Sequence, residues 1–284
     1  MFERADRLWL AQIERSLPFH AIGFEWRGFD PVLHCVNRSD DSPLHLDLKS
    51  VDYVISGHRE CVGCFQDQQH TPCPRSAGVS RFTQCPDCAE ESFIPYQECV
   101  FEPKCDGELC DVDFCGREHV LYLAFYNARV KIGMSSARRL EERLIEQGAD
   151  AYAQIGVYRT RKRAREAEKE ISARLRIPQS FRQRVLLEDL ARRMDQKTVE
   201  NKFARLCSSL ETHFNLKPEE LRRLDSYPIE LPLDMKPSLM NTPGRHRGEL
   251  VGVKGRWLIY RSGGMNALSL ADVPSRFVGI GRVQ

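Results

Sequence analysis

No run of eighteen consecutive apolar residues occurs in the 284-residue chain, which excludes a membrane-spanning helix. The first residues, Met1-Phe2-Glu3-Arg4-Ala5-Asp6, are charged and hold no apolar signal core. That predicts a chain that is not secreted, and so a cytoplasmic one. No internal repeat stands out. Net charge is also scarce: 42 Lys and Arg stand against 40 Asp and Glu, a formal +2. What is present is the mix of an ordinary globular protein, with 42% apolar and 29% charged residues. The length allows one large domain or two to three smaller ones.

The near-zero net charge hides a segregation. Residues 1–118 carry 11 basic and 21 acidic side chains, residues 119–206 carry 20 and 11, and residues 207–284 carry 11 and 8. A middle segment this basic is the electrostatic footprint of a phosphate-rich partner. Neutralisation by the acidic first third within the fold is the plainer alternative.

Cysteine is the strongest signal. Of the 11 cysteines, nine fall within residues 61–115: Cys61, Cys64, Cys73, Cys85, Cys88, Cys99, Cys105, Cys110 and Cys115. Cys61/Cys64 and Cys85/Cys88 have C-x-x-C spacing, and His58, His70 and His119 flank the cluster. In a reducing compartment disulfides do not persist, and this spacing points to metal. Two thiolates three residues apart reach one tetrahedral ion from a tight turn, and two such clips make a structural zinc site. Between Ser56 and Glu118 there is little helical periodicity and many turn residues, so the stretch needs metal to order itself. Nine cysteines suit two four-ligand zinc sites with one left over. One is expected at Cys61, Cys73, Cys85 and Cys88. The other is expected from Cys99, Cys105 or Cys110, Cys115 and His119. An iron–sulfur cluster or a disulfide scaffold is the competing reading. Cys35 and Cys207 read as small buried apolar residues.

Downstream, Val120–Phe125 is a continuous apolar run that predicts a buried strand. Arg129–Gly133 predicts its hairpin partner across a Tyr126-Asn127-Ala128 turn. Ser135 or Ser136 caps a helix through Gln147, with Gly148 as its left-handed stop. Ala151–Tyr158 predicts a third strand. Arg161–Leu175 predicts a helix with Ala164, Ala167, Ile171 and Leu175 on one face, ended by Pro178. Two more helices fit 181–195 and 197–213.

The order Tyr122, Lys131-Ile132-Gly133, Arg143-Leu144 and Glu168 resembles the GIY-YIG nuclease superfamily. The surrounding text is similar to a second family, catalogued as domain of unknown function 2797. That likeness rests on the cysteines leading to Cys115, on His119–Ala124, Lys131–Gly133 and Glu146–Ala149, and on Gly252–Leu258. The superfamily resemblance implies phosphodiester hydrolysis. Glu168 would hold Mg²⁺ or Mn²⁺, Tyr122 would activate or position water, and Arg143 would neutralise charge on phosphate oxygens. Lys131 stands where the superfamily usually has a second tyrosine, and Gln147 where many members have histidine. Each residue also has a plain structural reading. Tyr122 is then a core aromatic, Arg143 pairs with Glu142 or Glu146, and Glu168 pairs with a neighbouring cation. Arg159, Arg161, Lys162, Arg163 and Arg165 place like charge at a helix start against the dipole, which suggests an anionic partner. His119 is a zinc ligand or supports one.

The two ends read as strands, among them His20–Trp26, Leu44–Leu48, Glu249–Val253, Arg256–Arg261, Ala267–Leu270 and Arg276–Ile280. They are expected to pair into one small β domain. The expected architecture is therefore α+β. It has an N-terminal β segment (1–56), a cysteine-rich zinc-binding module (57–118) and a GIY-YIG-like ββαβα core with helical extension (119–226). A linker and C-terminal β segment (227–284) follows. The function expected is a zinc-containing, Mg²⁺- or Mn²⁺-dependent endonuclease acting on DNA or RNA. The alternatives are a non-catalytic nucleic-acid-binding protein on a degenerate nuclease core, and a tRNA-directed or regulatory zinc protein.

Overall fold

A computed structural model describes residues 16–66, 69–90, 99, 102–108 and 113–281. Its first elements are β1 (Phe19–Arg27), β2 (Asp30–Asn37), β3 (Pro43–Leu46), β4 (Val51–Arg59), β5 (Cys64–Gln66), β6 (Gln69–Thr71), α1 (Pro86–Glu90) and α2 (Asp113–Gly116). Then come β7 (His119–Tyr126), β8 (Arg129–Ser136), α3 (Leu140–Gln147), β9 (Ala151–Tyr158), α4 (Arg161–Leu175), α5 (Gln183–Leu190) and α6 (Gln196–Phe214). The chain closes with β10 (Arg222–Arg223), β11 (Ser238–Leu239), β12 (Gly244–Lys254), β13 (Trp257–Arg261), β14 (Met265–Ser269) and β15 (Arg276–Ile280). The fold is mixed α+β and mostly sheet. It divides into two compact units, Met1–Gln97 with Ser238–Gln284, and Glu98–Pro237. Among the described residues no helix is long and apolar enough to cross a membrane.

The first unit is built on a nine-stranded sheet in the order β11-β14-β13-β12-β4-β15-β1-β2-β3. Strands from both ends of the chain interleave in it. Phe19 and His20 pair with Val278 and Phe277, and Ile55 of β4 pairs with Val278 on one side and Gly244 on the other. β12 starts at Gly244, inside the stretch expected to be linker, because Arg245, His246 and Arg247 alternate out, in, out and continue the ladder on β4. The same strand then leaves β4 and pairs with β13 from Glu249. Gly248 sits at that change of partner, where a Cβ would lie 2.2 Å from the Arg261 carbonyl oxygen. Leu17, Val54 and Phe277 form one buried cluster of this unit.

The cysteine-rich stretch 57–118, expected as one module, is shared between the units, with Cys61–Cys88 in the first and Cys99–Cys115 in the second. The reason is backbone pairing. β4 runs straight through to Arg59, and Glu60 continues as a bridge to Gly78, so the first cysteines grow out of the sheet.

In the second unit β7 is buried at all eight positions and lies between β8 and β9, in the sheet order β10-β9-β7-β8. That central place explains its unbroken apolar run. β8 extends to Ser136, further than its sequence pattern suggested. Ser136 makes no side-chain cap; a 3₁₀ turn over Ala137–Arg139 intervenes before α3. Gly148 ends α3 in the left-handed conformation at φ 75°. Thr160 caps α4 by accepting from the Arg163 N–H at 3.3 Å, and α4 buries Ala164 and Ile171 against Leu121, Leu123 and Ile132. Val199 and Leu210 of α6 complete this core.

Candidate functional site

Four cysteines of the first unit converge. The Sγ atoms of Cys61, Cys73, Cys85 and Cys88 all lie within 4.8 Å of one another, and all four residues are buried. Tetrahedral zinc at about 2.3 Å from each sulfur sets the thiolates about 3.8 Å apart, so the set can hold a metal ion such as zinc. The Cys73 and Cys85 sulfurs are 4.0 Å apart. Backbone N–H groups already point at the sulfur of Cys61, from Cys85 at 3.1 Å and Gly63 at 3.4 Å. Such donors stabilise a thiolate. Gly63 is required here. Its φ is +86°, and a Cβ would fall 2.1 Å from the Thr71 carbonyl oxygen. Burial opposes ionisation of Cys85, but the Cys88 N–H, neighbouring thiols and Arg75 outweigh it and hold that thiol below the ordinary cysteine value. Burial pushes the Cys61 and Cys88 thiols up.

This is the first of the two cysteine sets expected. Cys64 does not join its C-x-x-C partner. It opens β5, where its sulfur lies 3.9 Å from the Thr71 carbonyl oxygen across the β5–β6 hairpin, and Cys73 supplies the fourth sulfur, as in the expected set. The second expected set is not gathered among the described residues. Cys99, Cys105, Cys115 and His119 are each buried but form no such group, and Cys110 lies outside the described residues. His119 directs Nδ1 to the Arg117 carbonyl oxygen at 2.9 Å. Among the described residues its Nε2 is buried without a hydrogen-bond partner, and burial lowers its pKa.

The second unit brings Tyr122, Lys131, Arg143 and Glu168 to one neighbourhood. Tyr122 of β7 faces Gly133 of β8. A Cβ on Gly133 would lie 2.6 Å from both Cζ and the hydroxyl oxygen of Tyr122, so the ring lies flush against bare backbone. The phenol is 1% exposed, and burial pushes its pKa up to about 12. The Arg143 charge and hydrogen bonding from Gln147 pull it down, while the Glu168 and Glu146 charges push it up. Arg143 is exposed and pairs with Glu146 at 3.2 Å. Glu168 is 5% exposed, and its Oε2 accepts from Arg165 at 2.6 Å. Burial raises the pKa of Glu168 against the pull of Arg165 and Lys131. Lys131 donates to Gln147 Oε1 at 2.5 Å, and the Tyr126 hydroxyl donates to the same oxygen at 3.3 Å. Gln147 and Tyr126 were not among the catalytic residues expected from sequence. The i+4 spacing of Gln147 from Arg143 is the signal that could have found Gln147.

The basic run divides. Arg159 and Arg163 are exposed and Lys162 is half-buried. Arg161 is 5% exposed, with its guanidinium 5.3 Å from the Phe114 ring centroid. Arg165 is held by Glu168, by Gln179 at 2.8 Å and by Glu102 at 3.4 Å. Two of the five therefore serve the interior, because α4 turns one face of every four residues toward the sheet.

The chain matches the family described as protein of unknown function (DUF2797) over residues 49–272, well over half its length. It belongs to that family. The DUF2797 match spans both the four-cysteine cluster and the Tyr122 neighbourhood. No curated protein and no solved structure shows significant similarity to this DUF2797 chain.

Proposed function

We propose that this protein is a metal-dependent phosphodiesterase acting on DNA or RNA, built on a GIY-YIG-like core over β7, β8, α3, β9 and α4, with zinc at the four cysteines. One observation carries this reading. The Tyr122 phenol lies against Gly133, within electrostatic reach of Arg143, Gln147 and Glu168. These are groups that hydrolysis of a phosphodiester requires: a hydroxyl to position water, a guanidinium for the phosphate oxygens, and a carboxylate for a divalent ion.

The carboxylate suits Mg²⁺ or Mn²⁺. Arg165 takes only Oε2, and among the described residues Oε1 has no hydrogen bond. Mg²⁺ keeps several waters and is commonly held through one or two carboxylates plus substrate phosphate. The ion would stabilise charge on the phosphate and the leaving oxygen. Arg143 is exposed and positioned to meet a phosphate from solvent. Arg159, Lys162 and Arg163 would follow the adjoining backbone.

One observation favours a second reading, nucleic-acid binding without cleavage. Arg165 already neutralises Glu168 at 2.6 Å, so a cation stands beside the carboxylate without any metal. The test is cleavage of labelled branched DNA, single-stranded DNA and tRNA-like RNA in Mg²⁺ or Mn²⁺, by wild type and Glu168→Ala. Cleavage lost in Glu168→Ala while binding persists supports the phosphodiesterase. Binding that weakens with salt, without cleavage of any substrate, supports the second reading.

A further inference from the structure

Lys131 projects from β8 toward α3, where its ammonium meets Gln147 Oε1 at 2.5 Å and lies 5.7 Å from the Tyr126 ring centroid. The same amide oxygen accepts the Tyr126 hydroxyl at 3.3 Å. Lysine has three donors and no acceptor, so it must be held by acceptors. A carboxylate at this position would hold it and cancel its charge. An amide oxygen holds it and leaves the charge intact. The face of a neighbouring aromatic ring also favours a cation without neutralising it.

We infer that Gln147 is a positioning residue that, with Tyr126, fixes the Lys131 ammonium while preserving its charge, so that Lys131 meets a phosphate of a bound nucleic acid beside Tyr122. This rests on the phosphodiesterase reading for the chemistry it serves, but the positioning and charge claim can be read by binding alone. The Lys131 charge already reaches Glu168, and Gln147 acts on the Tyr122 phenol.

The experiment uses the full chain, a fluorescein-labelled single-stranded oligonucleotide, and Mg²⁺ or Mn²⁺. Gln147→Leu removes the acceptor at similar size, and Gln147→Glu keeps the acceptor but cancels the charge. Gln147→Leu is expected to lower kcat about 10- to 100-fold with little change in KM, the scale of a misplaced catalytic group. Gln147→Glu is expected to weaken binding and to reduce the slope of log K against log salt by about 0.7, one phosphate contact on a single strand. Should Gln147→Leu fold poorly, Gln147→Asn, which keeps the amide and shortens its reach, takes its place. Wild-type kcat in Gln147→Leu together with a wild-type salt slope in Gln147→Glu overturns the inference. If wild type binds but does not cleave, the phosphodiesterase reading fails by itself. The salt slope then still decides: a reduced slope supports the positioning claim and an unchanged slope overturns it. A wild type that binds no oligonucleotide overturns both.

Discussion

Tyr122 and Gly133 stand opposite each other across the β7–β8 hairpin, so close that a single methyl group on Gly133 would sit 2.6 Å from the phenol oxygen. The contact makes the glycine a packing requirement of the tyrosine. Gly133→Ala is therefore expected to displace the ring and to destabilise the protein by about 1–3 kcal/mol, the usual range for overpacking. Urea unfolding of the variant measures this. Wild-type stability in Gly133→Ala would show that the ring is not seated as described.

The four-cysteine cluster predicts a difference between two neighbouring cysteines. Cys61→Ser should lose the bound metal and unfold at lower temperature, because ligation supplies free energy on the order of 10 kcal/mol in zinc peptides. Cys64→Ser should keep the metal, since that sulfur lies across the β5–β6 hairpin by Thr71. Elemental analysis should give at least one ion per chain in wild type and the same number in Cys64→Ser, and a strong chelator should lower the Tm of both. A second ion per chain would point to the other expected set, Cys99, Cys105 or Cys110, Cys115 and His119.

His20 gives the first unit an acid-sensitive element. Burial lowers its pKa to about 4, beyond what its hydrogen bond to the Glu60 backbone restores, and among the described residues its Nε2 is buried without a partner. The unfolded chain takes up this proton near 6.5 and the native chain does not. Stability from the neutral ring is present above 6.5 and lost as pH falls from 6.5 toward 4, by about 3 kcal/mol at most. His20→Phe keeps a ring against Phe277 and removes the titration. Its unfolding free energy should fall less than that of wild type between pH 7 and pH 4.5, and an identical fall in both would contradict the assignment.

Parts of this architecture are legible in the residues and parts are not. Val120–Phe125 reads as a buried strand because a central strand has no solvated face, and β7 is central. Cys61, Cys73, Cys85 and Cys88 read as a set because tetrahedral ligation asks for four thiolates and little else could order the stretch around them. Cys64, the C-x-x-C partner of Cys61, stands outside that set. Whether a thiol faces the cluster depends on how the β5–β6 hairpin orients it, and C-x-x-C spacing carries no such information. Arg161 and Arg165 read as part of a basic surface, yet Phe114 covers one and Glu168 holds the other. Those partners lie on other turns or other elements, so charge counting along the chain misses them. The early start of β12 was hidden for the same reason: Gly244–Gly248 is a strand only because β4 is there to pair with it.

The most direct test of the proposed chemistry is single-turnover cleavage by Tyr122→Phe. The variant keeps the ring against Gly133 and removes only the hydroxyl, so its stability should stay within about 1 kcal/mol of wild type. If Tyr122 positions or activates the attacking water, cleavage should fall about 100-fold or more while oligonucleotide binding is retained. Wild-type cleavage by Tyr122→Phe would contradict a hydrolytic centre at this tyrosine.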